Sequence, residues 1–196
     1  MRDSRGRGEG RLGHLSAGFA ALDRRSFLLG TTAAALSLSL TSRLAGALEA
    51  PAPLPSGTIA ALETSPFVYV CPLRRDGRES TCHGEVWYAW LDGAVVLTTS
   101  KGSWKARSAE QGSGRARLWV GSFGRWKPMI GRNEAFRAAP SFDARVHERK
   151  DEALLTRLLA AYEKKYPNEF SNWRDRMRAG HASGERVLLQ YDPTAL

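Results

Sequence analysis

The sequence predicts an α+β fold, a mostly antiparallel barrel or sandwich of about six strands with its clear helices late in the chain. Three observations carry this expectation. Short β-rich runs recur at 67–73, 85–91, 94–100, 116–121, 142–148 and 186–191. Asp92-Gly93 lies between two of them and marks a hairpin, because glycine accepts the positive φ that a type I′ turn demands. The clearest 3.6-residue apolar stripe, Leu154, Leu155, Leu158, Leu159 and Tyr162, follows all but one of these runs.

The elements can be justified in order. A Pro-rich stretch at 48–57 cannot hold a helix and reads as a linker. A short helix is expected at 58–64, then the first strand, then a turn at Arg74-Arg75-Asp76-Gly77-Arg78. The hairpin follows. In its first strand, alternation sets Trp87, Ala89 and Leu91 on one face and Tyr88 and Trp90 on the other. Polar residues 101–115 predict a loop with a short helix near 104–110. Asp151 is placed to cap the striped helix, and Tyr166-Pro167 to end it. A second helix is expected from an Asn168 cap through Arg178, with Gly180 as its stop.

The 196 residues carry a formal net charge of +9, with 42% hydrophobic and 25% charged residues. Such values exclude wholesale disorder. Two cysteines are too few for a disulfide-stapled miniature fold, and Cys71 and Cys82 are spaced equally well for one disulfide or for two thiols. No apolar run approaches the roughly 18–20 residues that span a bilayer.

Residues 1–47 form a separate object. Gly- and Arg-rich residues lead to Asp23-Arg24-Arg25-Ser26-Phe27-Leu28, then an uncharged stretch to Leu40 and an Ala45-Gly46-Ala47 exit, with Ala50 a second candidate end. A charged segment, a short apolar core and a small-residue exit make an export signal. Arg24, Arg25, Phe27 and Leu28 resemble the core of the twin-arginine signal. That resemblance implies a partner, the twin-arginine export machinery, a membrane encounter only during export, and a periplasmic or extracellular mature protein. Seven of the 29 basic and three of the 20 acidic residues belong to residues 1–47, so residues 48–196 carry only +5. Export and this lower charge both weigh against a nucleic-acid partner.

Chemistry is harder to place. His83, His147 and His181 lack ligand spacing, and HExxH, CxxC and GxSxG are all missing, so no metal site and no hydrolase are expected. The strongest candidate is the strand end and loop Thr98-Thr99-Ser100-Lys101-Gly102-Ser103-Trp104-Lys105-Ala106-Arg107. Hydroxyls and backbone N–H groups at a helix N-terminus suit a phosphate, with Lys or Arg as counter-charge. The alternative is a solvated basic loop.

The segment from Val86 to Val120 (strand, Asp-Gly turn, strand ending Thr-Thr-Ser, then Ser-x-Lys-x-Arg and a strand) resembles the pyridoxamine 5'-phosphate oxidase-like, or flavin-binding split β-barrel, superfamily. The resemblance implies a six-stranded split barrel over residues 58–196 and a homodimer with the cofactor between subunits. It implies FMN or a deazaflavin as cofactor and an oxidoreductase moving hydride to or from a small-molecule substrate. It makes Thr98, Thr99, Ser100, Ser103, Lys105 and Arg107 cofactor-phosphate candidates and assigns no catalytic residue; Trp104 joins the cofactor-binding candidates because it lies inside the same loop. The sequence departs from the superfamily after Arg107. Ser108-Ala109-Glu110-Gln111-Gly112 stands where an Asn-Leu-x-x-Asn/Asp-Pro run is usual. The alternative function is a non-catalytic module on the same barrel that binds haem or another ligand.

Overall fold

The computed structural model describes residues 53–127 and 131–194. The expected export signal and the first half of the linker lie outside the described residues. Among the described residues, five α-helices, α1 (Ser56–Thr64), α2 (Trp104–Gln111), α3 (Glu152–Lys165), α4 (Pro167–Phe170) and α5 (Arg174–Ala182), accompany seven strands. The strands are β1 (Val68–Pro72), β2 (Gly84–Val86), β3 (Ala89–Leu91), β4 (Ala94–Ser100), β5 (Arg115–Val120), β6 (Ser141–Arg149) and β7 (Arg186–Pro193). They form one curled, wholly antiparallel half-barrel in the order β2-β1-β5-β6-β7-β4-β3. No helix among the described residues is long and apolar enough to cross a membrane.

Period-2 alternation decides what each face buries. Val68, Val70, Val95, Leu97, Leu118, Phe142, Leu189 and Tyr191 point into the barrel and form its core. Val96 and Leu188, on the outer face, pack with the α3 stripe, Phe170 and Met177. Tyr69, Cys71 and Trp119, on the outer face elsewhere, pack with Trp126 and Phe136. The Asp92-Gly93 turn has φ of 52° and 76°, as the type I′ expectation requires. Asp151 caps α3, its side chain accepting from the Leu154 N–H at 2.9 Å.

The strand expected at 85–91 is two strands, which is why there are seven and not six. β2 and β3 are the opposite edges of the sheet, and Trp87-Tyr88 carries the chain from one edge to the other. The backbone there is satisfied by side chains instead of a ladder. The Tyr166 hydroxyl accepts from the Tyr88 N–H at 3.1 Å and lies 3.1 Å from the Tyr88 carbonyl and 2.6 Å from that of Pro66. The Tyr162 hydroxyl donates to the Trp87 carbonyl at 2.8 Å. The side-chain alternation survives the break: Tyr88 is in the barrel core, while Trp87, Ala89 and Leu91 face the helices.

The second late helix also differs from expectation. Asn168 does not cap it, because the chain makes the separate turn α4 before α5 begins at Arg174. Gly180 does not stop it. It is a buried residue inside α5, where a Cβ would stand 2.7 Å from the Arg186 side chain.

At the end of α3 the Lys165 ammonium lies 3.4 Å from the centre of the Tyr88 ring, and burial holds its pKa down from 10.5 to about 8. Between those values the unfolded chain keeps a proton that the folded protein has released, so Lys165 makes stability rise as pH rises from 8 toward 10.5. Cys71, whose buried thiol is pushed up from 9.0 to about 11, acts in the opposite sense from pH 9 upward. Melting temperatures taken from pH 7 to about 10 should therefore climb further for the wild type than for Lys165→Met. Parallel curves would contradict this assignment.

Candidate cofactor site

A cavity of about 500 Å³ opens beside the β2 edge, within the ordinary range for small-molecule and cofactor sites. Its aromatic walls are Trp87, Trp104 and Trp126, and Arg125 and Lys127 add positive charge. Gly84 sets its depth. A Cβ on that residue would stand 2.9 Å from Cζ2 of Trp104, so only glycine lets the indole lie against the β2 backbone. Trp87 is fixed by stacking on Tyr166, with ring centres 4.5 Å apart and planes 9° from parallel. Trp126 is buried, and the cations of Lys127 and Arg132 lie 5.0 and 5.6 Å from its ring centre. The Glu85 carboxylate is already engaged by the Tyr69 hydroxyl at 2.9 Å.

His83 lines the same cavity and is buried among Trp119, Trp126 and Phe136. Its Nε2 faces Glu79 Oε2 at 3.3 Å and Arg137 Nη2 at 3.2 Å. Its Nδ1 is buried without a hydrogen-bond partner, an unusual condition for a polar atom in a protein interior. The sequence put His83 aside because it has no ligand spacing.

The fold does bring Cys71, Glu79 and His83 together, with one potential ligand atom from each within 4.8 Å of the others. Arg137 donates to Glu79 at 2.8 Å, and Arg117 reaches the other carboxylate oxygen at 3.5 Å. Two guanidinium charges on the only carboxylate oppose a divalent cation there. Burial also keeps Cys71 a thiol at neutral pH. Both cysteines are free, and the Cys71 Sγ lies 3.6 Å from the Ser80 carbonyl. The cluster is a charge network that holds residues 79–83 against the sheet.

The seven residues singled out from the sequence are distributed as follows. Thr99, Ser103, Trp104, Lys105 and Arg107 gather around the first turn of α2. The Thr99 hydroxyl donates to Ser103 Oγ at 3.0 Å, and Ser103 Oγ caps α2 by accepting from the Ala106 N–H at 3.2 Å. Both hydroxyls are thus occupied within the protein. The Arg107 guanidinium donates to the Gly102 carbonyl. Lys105 is half-buried, with its ammonium 4.6 Å from the centre of the Trp104 ring; burial and the charge of Arg186 hold its pKa down. Ser100 is exposed at the strand end. Thr98 is not with the others. It points to the outer face, where its hydroxyl meets His181 Nε2 at 2.7 Å and accepts from Arg186 Nε at 3.2 Å.

Arg125, Trp126 and Lys127 also belong to this cavity. Nothing local marks them as neighbours of Trp104, because the cavity is closed by segments about 20 residues apart on either side of it.

No family model matches the sequence, and no curated protein matches it. Solved structures do. HutZ, the haem storage protein from Vibrio cholerae, is 11% identical, covering 74% of this chain and 93% of its own, with a TM-score of 0.48. A FAD-binding protein from Mesorhizobium loti is 17% identical, covering 70% and 87%, with a TM-score of 0.42. An F420 reductase is 16% identical, covering 72% and 97%, with a TM-score of 0.40.

Proposed function

We propose that this chain binds FMN or a deazaflavin in the cavity between residues 81–87, α2 and residues 125–127, and acts as an oxidoreductase on a small molecule by hydride transfer. The observation that carries this reading is three indoles around one cavity whose mouth holds Arg125 and Lys127. A planar, electron-poor ring with an anionic tail matches such walls. The bound flavin would supply the redox chemistry, and the protein would hold and shield it. Trp87 and Trp104 would orient the ring. Lys105, which pairs with no carboxylate among the described residues and lies 4.6 Å from the Trp104 ring centre, would add positive charge for the phosphate. Thr99 and Ser103 would shape the turn without touching it. Arg24-Arg25, Phe27-Leu28 and the Ala45-Gly46-Ala47 exit support export through the twin-arginine pathway and a periplasmic or extracellular site of action. The homodimer remains the state that the sequence resemblance suggests.

A second reading, a non-catalytic haem-binding module, is favoured by one observation, the unpartnered Nδ1 of His83 in the cavity wall. An absorption spectrum of the protein purified from its own host separates the two. A flavin band near ~450 nm, or a deazaflavin band at shorter wavelength, is expected. A Soret band lost in His83→Ala would establish the haem reading instead. A colourless protein that binds neither added FMN nor added deazaflavin would exclude the flavin reading.

A further inference from the structure

The flavin reading uses neither Cys71 nor His83, although both are taken out of water: Cys71 is 0% and His83 9% exposed. The fold brings a potential ligand atom of each within 4.8 Å of the other. The thiol is loosely held, its sulfur 3.5 Å from the Pro72 carbonyl and 3.6 Å from that of Ser80. His83 Nδ1 is buried with no hydrogen-bond partner. In the tautomer whose Nε2–H donates to Glu79 Oε2, at 3.3 Å, Nδ1 presents a bare lone pair. A carboxylate on the far nitrogen is the usual way a metal-binding imidazole is oriented.

Charge decides which ion fits. Glu79 is engaged by Arg137 and Arg117, and these two guanidinium groups repel a dication. A soft monovalent ion adds no charge, because it exchanges for the thiol proton. The S–H bond breaks, a sulfur–metal bond forms, the proton leaves to solvent, and no electron moves. Thiolate with imidazole is a donor pair that suits such an ion. A linear sulfur–metal–nitrogen unit spans about 4.3 Å at ordinary bond lengths, inside the 4.8 Å limit found here. Trp119, Trp126 and Phe136 surround the imidazole, and a dry aromatic shell disfavours a higher charge on the metal. His83 also lines the Trp104 cavity, which gives an ion a way in from solvent.

We infer that Cys71 and His83 form a two-coordinate site for Cu(I) at the wall of the cavity. The site does not depend on the cofactor reading.

Anaerobic titration of the full chain with Cu(I), supplied as its bicinchoninate complex, tests it. The wild type should take one Cu(I) per chain, and X-ray absorption at the copper edge should show one sulfur and one nitrogen neighbour. Excess Zn(II) should not displace the ion. Cys71→Ser should lower affinity by more than the roughly 10–100-fold that changes around a ligand cost, and His83→Gln by at least about tenfold. Cys82→Ser keeps both ligands and should bind as the wild type does. No binding to the wild-type chain, displacement by Zn(II), a two-sulfur shell that needs Cys82, or unaltered affinity in either ligand variant would overturn the inference. If Cys71→Ser does not fold, the wild-type copper-edge spectrum and His83→Gln decide in the same way. Cys71→Ser that loses Cu(I) but keeps FMN, and Trp104→Ala with the converse result, would keep this site and the cofactor reading distinct.

Discussion

Replacing Tyr166 with alanine is expected to destabilise the protein by about 3–5 kcal/mol, the range for removing a buried aromatic side chain. Tyr166 is 4% exposed and stacks on Trp87. Its hydroxyl also stands in for the missing ladder at Tyr88, accepting from the Tyr88 N–H. The alanine variant loses the packing and leaves that buried N–H unpaired. The phenylalanine variant separates the two contributions. It keeps the stack and should cost only about 1–3 kcal/mol, the penalty for an unsatisfied buried group. Urea denaturation of both variants measures this. Because Trp87 forms one wall of the cavity, Tyr166→Ala should also weaken the cofactor, whereas Tyr166→Phe should not. Equal destabilisation by the two variants would contradict this division of labour.

Trp104→Ala is expected to lower affinity for FMN or the deazaflavin by about tenfold to a hundredfold, the usual effect of removing one aromatic platform under a stacked heterocycle. The indole lines the cavity and fits against Gly84 at a spacing that admits no side chain there. Gly84→Val should therefore push Trp104 outward and reproduce part of the loss without removing the ring. Lys105→Ala should weaken phosphate-bearing cofactors more than the bare ring, since only its charge is lost. Ser103→Ala should act on α2 itself, costing about 1 kcal/mol of stability as a lost N-cap, with little effect on affinity. Fluorescence titration of each variant reads these effects. A Trp104→Ala protein of unchanged affinity would remove the cavity from the proposed function.

Local chemistry made much of the fold legible. Asp92-Gly93, the Leu154–Tyr162 stripe and the Asp151 cap depend on near neighbours, and each appears where the residues demand it. The break at Trp87-Tyr88 was not legible, because β-propensity there is continuous. What ends the pairing is a pair of tyrosine hydroxyls 75 and 78 residues away. Gly180 looked like a stop for the same kind of reason: the side chain that needs its missing Cβ comes from β7, after the helix has ended. At the site, alternation along β4 could have separated Thr98 from Thr99, since neighbours on a strand face opposite ways. Reading the hydroxyl run as one cradle overrode that signal. The partners of Thr98, His181 and Arg186, lie 83 and 88 residues further on, beyond any local pattern.

The two edge strands, β2 and β3, have three residues each. Such short rims offer almost no template on which a second molecule could extend the sheet. Growth by strand addition, the first step of most β-aggregation, is therefore poorly supported at both ends of this sheet. A second copy of this chain would have to meet the faces and helices instead, where side-chain shape and charge choose the partner.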